Sequence, residues 1–219
     1  MRRAIHLIAP AGSLQSFYEH LEVQSARQMI ALFQQWAGND FTLSGDLAIL
    51  DASEDEVRGG RTDDAARARD ITVALADDNV AAILAVRGGA WFTRILPRID
   101  FSVLEHRSSP ISVFCFSELT PLINIVAQNS MGRGFHDMGP AFLVYGLKRH
   151  AAQVLKLSDA TYSTPQHWMQ RNLREQITVY FRGVLRLLNG APAPPISARL
   201  VRGQMKDGPL ATFVGGNLT

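Results

Sequence analysis

Residues 80–91 read VAAILAVRGGAW. The run from Val80 to Val86 is apolar without a break, and it ends in Arg87 and the paired glycines Gly88 and Gly89. A strand with one wet face would alternate apolar and polar residues, so this run describes a strand buried on both faces that leaves its sheet at the glycines. Such strands belong to parallel sheets covered by helices on both sides. Working outward, ISVFCF at 111–116 is a second run of the same kind, AIHLIAP at 4–10 a first buried strand, and DFTLSG at 40–45 another strand. Between them lie helical patterns. About 20 residues after the turn Ala11-Gly12-Ser13 place Leu21, Ala26, Met29, Ile30, Phe33 and Trp36 at nearly helical spacing. RGGRTDDAARARDITVALADD reads as a loop and a helix, with Thr62 as N-cap and Asp63 and Asp64 favourable in its first turn.

Beyond Gln128 the character changes. NSMGRGFHDMGP reads as a glycine-rich loop, AFLVYGLKRHAAQVLKL as a helix and SDATYSTPQ as a second loop. Pro165 then opens a long amphipathic helix with Met169, Leu173, Ile177, Phe181, Val184 and Leu188 near one face, stopped at Asn189-Gly190. APAPP is a stiff connector, and ARLVRGQ and LATFVGG look like strands of a second unit. The expected organisation is an α/β domain over 1–128, a loop-and-helix connector over 129–195, and the first strands of an incomplete second domain over 196–219.

The chain has 219 residues, 47% of them hydrophobic and 19% charged, enough for one large core. Its formal charge is +2, and the basic residues are scattered rather than interleaved with aromatics, which offers nucleic acid no footprint. The single cysteine, Cys115, cannot form an internal disulfide, so a reducing compartment is the simpler expectation. The start, MRRAIHLIAPAG, imitates a secretory signal, but its apolar run is no longer than a strand and contains His6. No stretch approaches the roughly 20 apolar residues of a membrane span. A soluble, cytoplasmic protein with no membrane partner is expected.

In parallel sheets of this type, ligands bind at the carboxyl ends of the strands, where RGGAWF and FSELT both fall. PISVFCFSELTPLINIV at 110–126 has the layout of a nucleophile elbow, with Ser117 between a strand end and a helix start. It lacks the G-x-S-x-G pattern, having Cys115 two residues before the serine and Leu119 two after. Taken by itself the motif favours Ser117 as a plain helix N-cap, and the nucleophile stays open beside that reading. Cys115 is a rival nucleophile, although a cysteine in a buried strand usually packs as a small hydrophobe. Strict alternation would turn Cys115 and Ser117 to one side and Phe114 and Phe116 to the other. Gly88-Gly89 could supply an oxyanion donor or form only a tight turn. The six histidines show no metal-ligand spacing, and His136 with Asp137 is the one pair to watch. Asp63-Asp64 is explained by helix-start electrostatics.

Taken in order, several stretches resemble the LD-carboxypeptidase family, serine peptidases that include muramoyltetrapeptide carboxypeptidase and the microcin C immunity hydrolases. IAPAGSL looks like the family's first strand and turn. GRTDDAARARDITVALADDNVAAILAVRGG looks like its Gly-Thr-Asp loop, helix and Arg-Gly-Gly strand, and ILPRIDFSVL like the Leu-Pro-x-Leu-Asp segment. VFCFSELT is similar to the Gly-Phe/Tyr-Ser-Asp-x-Thr elbow, and VGGNLT to the Gly-Gly-Asn-Leu that begins the second domain's core.

The resemblance implies that Ser117 is the nucleophile, that the backbone N–H groups of Gly89 and Glu118 hold the oxyanion, and that Arg87, Gly88 and Trp91 meet the substrate. Cys115 stands where the family has glycine, Glu118 where it has aspartate, and Ala90-Trp91 where it has Tyr-Gly. The family's His-Gly-Pro falls on Met138-Gly139-Pro140, so His136 does not replace that histidine. The glutamate and histidine of the triad would lie beyond Thr219.

The implied activity is release of a terminal D-amino acid, such as D-alanine, from a cell-wall (murein) tetrapeptide in peptidoglycan recycling, with no metal or organic cofactor. Alternatives are a non-catalytic peptide-binding module with the same cleft, a microcin C immunity-type hydrolase of acyl-nucleotide peptides, and a cysteine-dependent hydrolase or amidotransferase of similar sheet architecture acting through Cys115. An unpaired strand edge in LATFVGGNLT would favour homodimers.

Overall fold

A computed structural model of the chain describes residues 3–52, 63–137, 139–154 and 166–192. Five strands form one sheet: β1 (Ala4–Ile8), β2 (Thr42–Ser44), β3 (Val80–Ala85), β4 (Ile111–Cys115) and β5 (Gly132–His136), in the order β2-β1-β3-β4-β5. Every pairing is parallel, with Ile5 opposite Ala82, Ile83 opposite Val113, and Cys115 opposite His136. The chain goes one way from β1 to β2 and then crosses over to build β3, β4 and β5 on the other side. The switch point, beside which sheets of this kind usually bind ligands, therefore falls between β1 and β3, where the loops after the two strands pack together with Gly89 against Ala11.

Helices cover both faces. Ile5, Leu7, Leu84 and Phe114 point to a core closed by α1 (Gln15–Leu21), α2 (Ala26–Ala37), α7 (Pro140–Val154) and α8 (Gln166–Leu188). Ile8, Ile83, Ala85, Val113 and Cys115 point to a second core under α4 (Asp64–Ala76), the short α5 (Phe92–Ile95) and α6 (Thr120–Val126). The short α3 (Leu47–Asp51) follows β2, capped by the Asp46 carboxylate, which accepts from Ala48 and Ile49 N–H. α8 turns Leu173, Ile177, Phe181 and Val184 inward, as its pattern predicts, and stops where Gly190 turns left-handed at φ 84°. Among the described residues no helix is long and apolar enough to cross a membrane.

Three sequence expectations need correction. The helical pattern of residues 15–37 is two helices, because Glu22 takes the left-handed conformation at φ 56° and ends α1, and Ser25 then caps α2 by accepting from Gln28 N–H. Asp63 and Asp64 do more than complement a helix start. Asp63 pairs with the buried Arg67 at 2.7 Å, and Asp64 with Arg94 at 2.9 Å. Residues 132–136, read as part of a glycine-rich loop, are strand β5 and extend the sheet past Gln128. Thr62, Pro165, ARLVRGQ and LATFVGGNLT lie outside the described residues.

Candidate active site

The turn after β4 is strained. Phe116 is extended at φ −152°, and Ser117 then enters the left-handed region at φ 57° before a single 3-10 turn, Ser117–Leu119, leads into α6. An L-residue there costs about 1–2 kcal/mol, so the conformation persists only where neighbours hold it. Four bonds do so. Thr120 Oγ1 donates to Ser117 O at 2.6 Å, the Cys115 thiol to Leu119 O at 3.2 Å, and Asp137 N–H to Cys115 O at 3.0 Å. The fourth comes from the start of α5, where Phe92 N–H donates to Glu118 Oε1 at 3.0 Å. Neither the 3-10 turn nor α6 has a side-chain N-cap, so the hydroxyl of Ser117 is not spent as a cap.

Against this turn lies the loop after β3. A β-carbon built on Gly88 would stand 3.3 Å from Ser117 Cβ and from the Phe116 ring, and one on Gly89 would stand 1.9 Å from Ala11 O. At Gly89 only glycine allows the β1 turn to come this close, whereas a side chain at Gly88 would need the Phe116 ring and Ser117 to give by a few tenths of an ångström. Arg87 reaches over the β1 turn, where its Nη1 donates to Ser13 O at 2.5 Å. The two loops and α7 enclose a cleft of about 270 Å³ lined by Arg87, Gly88, Gly89, Phe116, Ser117, Ala141, Phe142 and Tyr145. Phe116 meets Phe142 edge to face at 6.0 Å between centroids. Tyr145 Oη lies 3.2 Å from Ser16 Oγ, and the His20 ring stands edge-on to the Tyr145 ring at 5.6 Å.

Most residues singled out from the sequence converge here. Ser117, Arg87, Gly88 and Gly89 share the cleft. Glu118 is second in its helical turn, a position whose N–H has no intrahelical partner, while its carboxylate is turned away to Phe92. Trp91 does not line the cleft. It is left-handed at φ 77° and 48% exposed, with the Arg94 guanidinium 5.4 Å above its ring. The expected alternation also fails, because the positive φ of Ser117 brings it to the cleft beside Phe116 while Cys115 stays in the α6 core. The aromatic wall of Phe142 and Tyr145 was missed. Its only signal was the Gly139-Pro140 helix start, with two aromatic residues three apart just behind it.

Two rivals can be judged on geometry. Cys115 is fully buried, and burial pushes its thiol up to about 12, so it has almost no thiolate at neutral pH. A Ser-His-Asp chain does exist, but elsewhere: His6 bridges Ser44 Oγ at 3.2 Å and Asp70 Oδ1 at 2.8 Å. Ser44 lies in the β-ladder opposite His6 and has no strained turn to present it. His136 ends β5 with an exposed side chain, and its neighbour Asp137 accepts from Tyr180 Oη at 2.6 Å. Burial, aided by the Asp137 charge, holds the Tyr180 phenol well above its usual range. Among the described residues no histidine lines the cleft, and no group of three or more His, Cys, Asp or Glu side chains converges as metal ligands would.

Residues 5–137 match the family model of the LD-carboxypeptidase N-terminal domain. The chain belongs to the LD-carboxypeptidase family. The matched segment runs from β1 to the end of β5 and carries the Arg-Gly-Gly loop and the Ser117 turn. Similar solved structures include an MccF-like protein from Bacillus anthracis str. Ames, 19% identical with a TM-score of 0.42, over 61% of this chain and 37% of that one. An MccF-like protein from Streptococcus pneumoniae in complex with AMP is 19% identical, with a TM-score of 0.44, over 63% and 38%. MccF in complex with glutamyl sulfamoyl guanosine is 15% identical, with a TM-score of 0.42, over 58% and 34%. The chain thus spans little more than a third of the length of these proteins. No curated protein matches it.

Proposed function

We propose that the protein is a serine-type LD-carboxypeptidase that releases a terminal D-amino acid, D-alanine in the first instance, from cell-wall tetrapeptides. The observation that carries this reading is the left-handed Ser117 at the mouth of a cleft, inside the segment that matches the family. A serine on such a turn projects its hydroxyl beyond the carboxyl end of its strand, where a bound carbonyl can reach it. Ser117 attacks the carbonyl carbon of the amide joining an L-centre to the terminal D-residue. The oxyanion is assigned to the N–H groups of Glu118 and Gly89, held in place by the rigid turn and by the close approach of Gly89 to Ala11. The amide C–N bond breaks as the base passes the proton taken from Ser117 Oγ to the leaving amine, and water then hydrolyses the acyl ester and restores the serine hydroxyl. The general base is assigned to residues outside the described cleft lining, as the family's Glu and His would be.

The test follows D-alanine release from a cell-wall tetrapeptide by the protein and by Ser117→Ala. Release that vanishes in the variant supports the reading, and release that survives overturns it. If the wild type releases nothing from the tetrapeptide but hydrolyses an acyl-nucleotide peptide through Ser117, the nucleophile stands and the substrate changes.

A further inference from the structure

The cleft beside Ser117 contains a cation, Arg87, whose charge no carboxylate among the described residues meets. The other arginines drawn inward have carboxylates or several carbonyls to answer them. Arg67 pairs with Asp63, Arg94 pairs with Asp64, and Arg107 donates to the carbonyls of Leu75, Asp77, Val80 and Ser109. Arg87 is half-buried and makes one hydrogen bond, from Nη1 to Ser13 O, with no carboxylate in ion-pair reach among the described residues. A guanidinium has five N–H donors in a flat fork, so most of its capacity is left for a ligand.

The surroundings narrow what that ligand is. The cleft's about 270 Å³ lies just below the roughly 300–1,000 Å³ usual for small-ligand sites, which suits a group about the size of one amino-acid residue. Across the cleft, Phe142 and Tyr145 keep 44% and 37% of their surface exposed, an apolar wall facing the same space. A residue at the end of a peptide has both features: a carboxylate that a guanidinium binds through two parallel N–H···O bonds, and an apolar side chain. An internal residue offers a neutral amide in place of the carboxylate.

Resting on the reading of Ser117 as a peptidase nucleophile, we infer that Arg87 holds the free α-carboxylate of the substrate's terminal residue while the Phe142–Tyr145 wall receives its side chain. This assignment makes the site an exopeptidase by charge: the same ligand amidated at its carboxyl end loses its anchor.

The experiment is calorimetric titration with N-acetyl-L-Lys-D-Ala and its C-terminal amide against the wild type, Ser117→Ala, Arg87→Gln and Phe142→Ala. A hydrogen-bonded charge pair is worth about 1.5–3 kcal/mol, so wild type and Ser117→Ala are expected to prefer the acid by about ten- to a hundredfold. Arg87→Gln is expected to bind acid and amide alike, at the wild-type affinity for the amide, which also shows that the variant is folded. Phe142→Ala is expected to weaken both ligands and to keep the preference. Equal affinity for acid and amide in the wild type, no binding of the acid at all, or a preference that survives Arg87→Gln overturns the assignment. If Ser117→Ala keeps both the preference and D-alanine release, the nucleophile reading fails and the anchor stands. If release depends on Ser117 but the wild type shows no preference, the anchor fails and the nucleophile stands.

Discussion

Two serines of this protein invite opposite readings. Ser44 has what a nucleophile usually needs for activation, a histidine in contact and an aspartate behind it, with His6 and Asp70 15% and 7% exposed at their side chains. Ser117 has no histidine beside it among the described residues, yet it has the strained turn, the facing glycines and the cleft. The Ser44 chain ties β2 to β1 and α4, and it satisfies polar groups on a helix-covered face. The Ser117 turn leaves its hydroxyl uncommitted, among the described residues, at the carboxyl end of the inner strand β4. Hydrogen-bond partners alone therefore do not mark a site: presentation to a space where a substrate can lie does.

The sharpest way to break this comparison is to remove each hydroxyl. Ser117→Ala is expected to lower peptide hydrolysis by about four powers of ten or more, and Ser44→Ala to leave it within a few-fold, measured as D-alanine release. If the two effects are reversed, the assignment of roles is reversed with them.

The next effect concerns the floor of the Ser117 turn and is read in pH. The Cys115 thiol is raised to about 12 in the folded protein, while an unfolded thiol titrates near 8.5. Its folded pKa lies above its unfolded one, so the folded state binds more protons between those values. Stability is full below about pH 8.5 and falls as pH rises towards 12, by about 1.4 kcal/mol per unit from this group. Denaturant unfolding between about pH 8.5 and 10, below the range in which unfolded tyrosines titrate, should show the fall, and Cys115→Ala should flatten it there. A wild-type profile as flat as that of Cys115→Ala would mean that the thiol is not buried as described.

Asp70→Ala removes the partner of His6 Nε2 and is expected to cost about 1–3 kcal/mol in denaturant unfolding with hydrolysis unchanged. Loss of hydrolysis without loss of stability would promote the Ser44 chain from a structural tie to a working one. The smallest effect is at Glu118. Glu118→Gln keeps an oxygen for Phe92 N–H and should change stability by less than about 1 kcal/mol, whereas Glu118→Ala should lose about 0.5–1.5 kcal/mol and loosen the turn. Equal behaviour of the two variants would show that the bond does not hold the elbow.

Much of the fold was legible because buried parallel strands announce themselves. VAAILA, ISVFC and AIHLI needed no alternation to be recognised, and the covered sheet followed from them. β5 was not legible. It lies at the sheet edge, only half-buried, and its glycines look like a loop. They are there because α6 crosses so closely that a β-carbon on Gly132 would lie 1.9 Å from Val126 O, and one on Gly134 2.2 Å from Ile123 Cγ2.

At the site, the Arg-Gly-Gly loop and the Ser117 turn could be found from their residue types. The choice between cap and elbow could not, because it depends on the sign of one φ angle. The family resemblance puts Trp91 against the substrate, because Ala90-Trp91 stands where the family has Tyr-Gly after the paired glycines. Its own left-handed φ sends it out to Arg94 instead. Phe142 and Tyr145 come from a helix whose approach to the cleft is a tertiary fact. It is fixed by Ala141 N–H donating to Val86 O at 2.9 Å.

The most direct test of the central claim is to treat the folded protein with a serine-reactive fluorophosphonate and map the adduct by peptide mass spectrometry. The account predicts a single adduct on the peptide that carries Ser117, absent from Ser117→Ala and unchanged in Ser44→Ala. An adduct on the peptide that carries Ser44, or peptide hydrolysis by a protein whose Ser117 stays unlabelled, would contradict it.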